Sequence, residues 1–221
     1  MQSAEIKQHL DKIVLELSNT IPMDFIKENL FIAGGAIRSL VHNETPKDYD
    51  FFVKSPEAIE KLKEMDFRWL YKSDNSIGLY LHESKAEVQI IICSSGTPNK
   101  VVDEFDFANN ANYYDFANDN LYLNNWVYSK QLKIQTTARN LVGTLARIPK
   151  FVERGYTLPS VEDLTVLAVR LTKQEPITKL SQLREEARIS SCCTENIVLM
   201  SGIEADMCYG VVGYSTRGSC V

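Results

Sequence analysis

Two segments decide how this chain folds: Phe31-Ile32-Ala33-Gly34-Gly35-Ala36-Ile37-Arg38-Ser39 and, after a turn over residues 43–46, Lys47-Asp48-Tyr49-Asp50-Phe51-Phe52-Val53. In the first, the apolar run from Asn29 to Ala33 predicts a strand that enters the glycine pair, and residues 36–41 predict a short helix after it. Two glycines between a strand and a helix let the backbone come close to a phosphate, and the helix start offers N–H donors. Taken alone, the pair is also ordinary connection geometry. The second segment adds chemistry. Side chains alternate along a strand, so Asp48 and Asp50 share one face with Cα atoms about 6.5–7 Å apart, while Tyr49 turns to the core. Carboxylates so close repel unless a cation lies between them. A polar edge strand facing water would show the same pattern, although aspartate is poorly suited to strand interiors.

Outward from this pair, Ile6, Leu10, Ile13, Val14 and Leu17 recur at helical spacing before Pro22. Ser55-Pro56 reads as an N-cap and first-turn proline of a helix reaching about Met65. Residues 67–71, 76–82 and 87–93 read as three strands, the last two joined by a hairpin at 82–85. Residues 103–116 read as helix then strand, and 121–128 with 133–135 as a further hairpin. Helices follow over 147–154, ending at Gly155, from the capping box at Ser160 onward, and over 177–187. Strands followed by helices predict an α+β fold: a mixed β-sheet flanked by helices with a short C-terminal helical segment. The expected division is residues 1–155 and 156–221.

The composition is that of a folded chain: 221 residues, 44% hydrophobic, with a net charge of −5 and no dense basic run. Non-specific nucleic-acid binding by a broadly basic surface is thereby excluded, and any such contact needs a local patch. No apolar run approaches the roughly 18 residues of a membrane span, and residues 1–11 are polar, unlike a secretory signal. The five cysteines lack C-x-x-C spacing, and the adjacent Cys192 and Cys193 do not match a zinc site. Reduced thiols and a cytoplasmic location are the expectation. His9, His42 and His82 are isolated, and Trp69 and Trp126 read as core. The aromatics Phe105, Phe107, Tyr113, Tyr114 and Phe116 also read as core at this spacing.

Gly34-Gly35-Ala36-Ile37-Arg38 followed by Asp48-Tyr49-Asp50 resembles the signature of the polymerase-beta-like nucleotidyltransferase superfamily, above all the head domain of tRNA CCA-adding enzymes and bacterial poly(A) polymerases. Asp106, Phe107, Asn110, Ala111, Tyr114 and Asp115 fall on positions of a second family block, and Arg147, Lys150 and Phe151 on a third. The resemblance implies a Mg²⁺- or Mn²⁺-dependent enzyme that transfers a nucleoside monophosphate from ATP or another NTP to an acceptor hydroxyl, releasing pyrophosphate. The acceptor is an RNA 3′ end, as in RNA processing, a small molecule or a protein. It implies Asp48 and Asp50 as catalytic metal ligands. Gly34, Gly35, Arg38, Asp106, Asn110, Arg147 and Lys150 are implied at the nucleotide. A third ligand belongs on the strand over 87–93, where Glu87 and Gln89 share one face; Glu87 is the candidate, with Gln89 left open.

The departures from the family pattern are Ser39 for its aspartate, Glu104 and Phe105 for its paired arginines, and Val166 where a base-reading arginine would stand. They support a rival expectation: a catalytically degenerate fold that binds nucleotide or a partner protein without turnover. Neither the P-loop nor the G-x-G-x-x-G pattern is present.

Overall fold

The computed structural model describes residues 1–173. The expected helix over 177–187 and the Cys192–Cys193 pair lie outside the described residues.

Helix α1 (Ser3–Leu17) buries Ile6, Leu10, Ile13, Val14 and Leu17, the stripe that its sequence spacing predicts. A second helix, α2 (Met23–Asn29), follows Pro22 and was not legible because its seven residues hold too few turns to show a period. Strand β1 (Leu30–Ala33) leads into α3 (Gly35–Val41), and β2 (Asp48–Val53) into α4 (Pro56–Glu64). The Ser55 hydroxyl accepts from the Ala58 N–H, as the cap reading expects. Next come β3 (Tyr71–Lys72), β4 (Ser76–Leu81), β5 (Ala86–Ser95) and α5 (Pro98–Asp103). The described chain closes with β6 (Tyr113–Asp115), β7 (Asn120–Tyr122), α6 (Leu141–Glu153) and α7 (Val161–Thr172).

The seven strands form one mixed sheet in the order β3-β4-β5-β2-β1-β6-β7. The β2–β5 pair is parallel and the other pairs are antiparallel. Alternation divides the faces. Ile32, Tyr49, Phe51, Val88 and Ile90 join the core built with α1–α4, whereas Phe31, Ala33, Phe52 and Ile91 turn to the opposite face and pack with Val101 and Val102 of α5. A third cluster gathers Phe107, Ile148, Phe151, Tyr156 and Leu167. It joins residues from both sides of the expected 155/156 division into one packed unit.

Several expectations are corrected. The predicted strand over 67–71 shrinks to the two residues of β3, and Trp69 is exposed rather than core, with Trp126 half-buried. The helix expected within 103–116 lies earlier, because Pro98 starts α5, and only a single 3-10 turn follows at Ala108–Asn110. The hairpin expected over 121–135 does not form: β7 pairs with β6, and Ile134 makes only an isolated bridge to Phe107. Phe107, Tyr113 and Tyr114 are core as expected.

Candidate active-site cleft

Asp48 and Asp50 sit on the sheet face opposite Tyr49, whose hydroxyl shares a hydrogen bond with His9 on the core side (2.6 Å). Asp50 is only 7% exposed, and its Oδ1 has no hydrogen-bond partner. Burial and the like charges of Asp48 and Glu87 push its carboxyl well above the ordinary range, against the opposing pull of Lys150 and Arg147. A buried, unpartnered carboxylate oxygen beside two more acids is an environment that a divalent cation relieves, and oxygen donors suit Mg²⁺ or Mn²⁺. Asp48 pairs in register with Glu87, and Asp50 with Gln89. Among the described residues, no group of three acidic, imidazole or thiolate side chains is close enough to hold a metal ion.

The two aspartates border a cleft of about 640 Å³, within the range of small-molecule sites. Gly34 and Gly35 lie in its wall. Gly34 has φ of +91°, a conformation that other residues rarely adopt, and its N–H donates to the Asn112 carbonyl (2.9 Å). A Cβ at Gly35 would meet nothing within 4 Å. Phe105 packs against Phe52 and lies next to Gly34.

Arg38 also lines the cleft and is 4% exposed. Its guanidinium lies over the rings of both Phe151 and Tyr156, and Nη2 donates to Ser39 Oγ (3.3 Å). Nε and Nη1 have no hydrogen-bond partner. Buried donors of this kind are costly unless a ligand satisfies them, and an anion does so best. Another part of the lining comes from α6 and its C-cap, where Arg147, Lys150 and Arg154 recur at i, i+3 and i+7. Lys47 and Arg139 complete a positive lining. Arg139 pairs with Glu104 (3.6 Å).

The remaining candidates have distinct places. The Asp106 carboxylate is held by the Thr144 hydroxyl (2.7 Å) and by Arg147, so it fixes the cationic wall rather than pointing unengaged at a ligand. Asn110 lines the cleft with Oδ1 unpartnered. Its neighbours do structural work: Asn109 binds the carbonyls of Trp126, Ser129 and Gln131, and Asn112 binds the Asn109 carbonyl. Glu87 lies outside the cleft lining, beside Tyr71. Burial, with the charges of Glu87, Asp50 and Asp48, pushes the Tyr71 phenol up to about 12 despite a hydrogen bond with Ser76. The sequence reading missed Lys47, Arg139 and Arg154; only Arg154 carried a signal, its spacing from Arg147.

A family profile for Gabija anti-defense 2 family proteins matches residues 5–132, more than half of the chain. The chain belongs to the Gabija anti-defense 2 family. The matched stretch includes Gly34, Gly35, Arg38, Asp48 and Asp50. No curated protein matches the chain in sequence. Among solved structures, it is similar to the Thermotoga maritima CCA-adding enzyme complexed with tRNA (TM-score 0.53, 19% identity, 89% of this chain and 52% of that one). A CCA-adding enzyme in complex with CTP gives a TM-score of 0.52 at 17% identity, covering 95% of this chain and 50% of that one. A tRNA-processing enzyme gives 0.52 at 15% identity, covering 93% and 63%. The chain therefore spans about half the length of the CCA-adding enzymes it resembles. Its fold, a mixed sheet with flanking helices, is the fold of those nucleotidyltransferases. Among the described residues, no helix is long and apolar enough to cross a membrane.

Proposed function

We propose that the protein is a cytoplasmic, metal-dependent nucleotidyltransferase that binds an NTP in this cleft and transfers its nucleoside monophosphate to an acceptor hydroxyl. The observation that carries the reading is the gathering in one cleft of Asp48 and Asp50 from β2, of Arg147, Lys150 and Arg154 from α6 and its C-cap, and of Gly34, Gly35 and Arg38. A triphosphate needs cations along its length and an acidic metal site at the reacting phosphorus, and the cationic side chains and the carboxylates of Asp48 and Asp50 in the cleft are suited to those roles. Asp48 and Asp50, with Glu87 as the third acid, would hold Mg²⁺ or Mn²⁺, which neutralises the phosphates and favours the acceptor alkoxide.

The chain's own part is positioning. Arg38 offers Nε and Nη1 to phosphate oxygens. Asp106 holds Arg147 so that its charge stays in the wall, and Asn110 offers Oδ1 to a sugar hydroxyl. The acceptor oxygen then bonds to the α-phosphorus as the bond to the bridging oxygen breaks. Pyrophosphate leaves with the electron pair, and the hydroxyl proton passes to solvent. By its name, the family acts against a defence system called Gabija, and we propose that the acceptor or its product belongs to that contest.

A second reading has one specific support. No three-ligand metal group exists among the described residues, and Gln89 stands opposite Asp50. Those features fit a degenerate fold that binds nucleotide without turnover. Incubation with each α-labelled NTP, Mg²⁺ or Mn²⁺ and mixed RNA and protein acceptors separates the two. Label transfer that disappears in the Asp48→Asn/Asp50→Asn variant supports the enzyme, and NTP binding without transfer supports the binder.

A further inference from the structure

We infer that the cleft selects a guanosine nucleotide and that Glu104 and Arg139 read its base; this rests on the transfer reading above, which leaves the base open. Strand β2 gives the cleft a direction. Asp48, Asp50 and Phe52 alternate onto one face, so Phe52 stands about 6.5–7 Å beyond Asp50. That end is apolar: Phe52 is in register with Ile91, packs with Val101 of α5 and lies 5.6 Å, ring to ring, from the half-buried Phe105. Beyond Asp48, the other end holds Lys47 and the turn before it, where the Glu44 N–H donates to the carbonyl of Ser39, the neighbour of Arg38 (2.8 Å). A nucleotide laid along β2 therefore puts its phosphates by Lys47 and Arg38 and its base by Phe105, since flat rings suit an aromatic neighbour and phosphates suit cations.

Glu104, next to Phe105, and Arg139 both line the cleft. Their juxtaposition is built by the fold. Five consecutive carbonyls at the end of α5 accept from the segment 135–139. The Gln135 side chain donates to Val102 (2.8 Å) and Phe105 (2.9 Å), and the Thr137 hydroxyl to Asp103. The backbone N–H of Arg139 donates to Glu104 (3.2 Å) and that of Gln135 to Asp106 (2.9 Å). These bonds satisfy the end of the helix and fix Arg139 beside Glu104. The two side chains stand 3.6 Å apart, too far for a hydrogen bond between them. An ion pair this loose adds little stability, and turning it to a ligand costs little. The acid of α7 serves elsewhere: Asp163 pairs with Lys133 (2.6 Å) and lies outside the lining.

The pair is neutral as a unit, so it suits the polar edge of an uncharged base better than a phosphate. It sets two acceptor oxygens beside a fork of donors. Guanine carries the complement in one row: the N1–H and N2 amino donors, then the O6 and N7 acceptors. The carboxylate takes the first two and the guanidinium the last two, each in a bidentate contact. Cytosine is the nearest rival. It gives the guanidinium N3 and O2 but offers the carboxylate one amino group. Adenine likewise offers one amino group, and its N1 lone pair opposes the second carboxylate oxygen. Uracil has one N–H between two carbonyls, which repel a carboxylate.

Isothermal titration calorimetry of the full chain with GTP, ITP, ATP, CTP and UTP, in Mg²⁺ and without acceptor, reads the base independently of turnover. GTP should bind at least about tenfold more tightly than ATP, CTP or UTP. ITP, which lacks the N2 amino group, should fall between. Glu104→Gln leaves one acceptor oxygen in place of two and should close the gap between GTP and ITP. Arg139→Ala should weaken GTP and ITP alike and keep that gap. Arg38→Ala should weaken all five nucleotides equally. The segment 135–139 is held through backbone carbonyls, so the Glu104 and Arg139 variants should melt like the unaltered protein, and a fold defect would move all five nucleotides together. The inference is overturned if another base binds as tightly as GTP, if GTP and ITP bind equally, or if their gap survives in Glu104→Gln. Should no triphosphate bind, or Arg38→Ala change none of them, the cleft reading fails. Titration with GMP against AMP then still decides the pair, and equal or absent binding of these two overturns it.

Discussion

The ring of Tyr71 fills the space that a side chain at Gly78 would occupy: a Cβ there would collide with Tyr71 Cε1. The glycine is therefore the complement of the tyrosine across the β3–β4 pair. Gly78→Ala should destabilise the fold by about 1–3 kcal/mol, the range for overpacking. In a Tyr71→Ala background the same change should cost much less, because the clashing ring is gone. Urea denaturation of the four proteins in this cycle measures the difference, and equal costs in both backgrounds would refute the contact.

The two glycines of the turn should separate fold from function. Gly34 has φ of +91°, so Gly34→Ala forces a strained backbone and should cost about 1–3 kcal/mol. Gly35 opens α3, and a Cβ there meets nothing. Gly35→Ala should keep the melting temperature within a degree or so, since alanine suits a helix better than glycine, yet weaken NTP binding by narrowing the cleft wall. Thermal melts beside nucleotide titrations check both halves.

These glycines and the Asp48–Tyr49–Asp50 alternation were legible because each is a short-range signal: a strand, a conformation only glycine takes easily, and a period of two. The same holds for the α1 stripe and the Ser55 cap. What escaped depends on distance along the chain. Arg139 reaches the cleft from a loop that nothing local marks, and the pairing of Asp48 with Glu87 belongs to a parallel ladder between remote strands. Short elements escaped for another reason. Strand β3 has two residues, too few to show alternation, so Trp69 read as core when it is exposed.

Asp106 should act through Arg147. Replacing it with asparagine keeps the Thr144 hydroxyl in reach but removes the charge that pairs with a mostly buried guanidinium. Asp106→Asn should lose about 1–3 kcal/mol of stability and weaken NTP binding as Arg147 shifts. Lys150→Ala should weaken NTP binding with little change in stability. Denaturation and binding curves for the pair distinguish a positioning group from a contacting one.

A pH-dependent contribution sits away from the cleft, at Lys54 and Asp115 (2.6 Å). Burial alone would raise the Asp115 carboxyl, but the hydrogen bonds from Lys54 and Asn118 outweigh it and hold the group below its ordinary value. A carboxyl whose pKa is lower in the folded state stabilises the fold above its unfolded pKa, about 3.9, and that contribution is lost as pH falls through the folded value. Lys54→Met should therefore be less stable than the unaltered protein near pH 7, with the gap closing below about pH 4. A gap that stays constant from pH 7 to pH 3 would show that the ion pair is not its source.

In the proposed transfer, Asp48 and Asp50 direct attack at the α-phosphorus of a nucleotide held in the cleft. Parallel reactions with α-labelled and γ-labelled NTPs, each with Mg²⁺ or Mn²⁺ and mixed RNA and protein acceptors, measure it most directly. The α-label should be joined to the acceptor, the γ-label released as pyrophosphate in equal amount, and neither event should occur in the Asp48→Asn/Asp50→Asn variant. Transfer of γ-label to the acceptor, or α-label transfer that persists in the variant, would contradict that role.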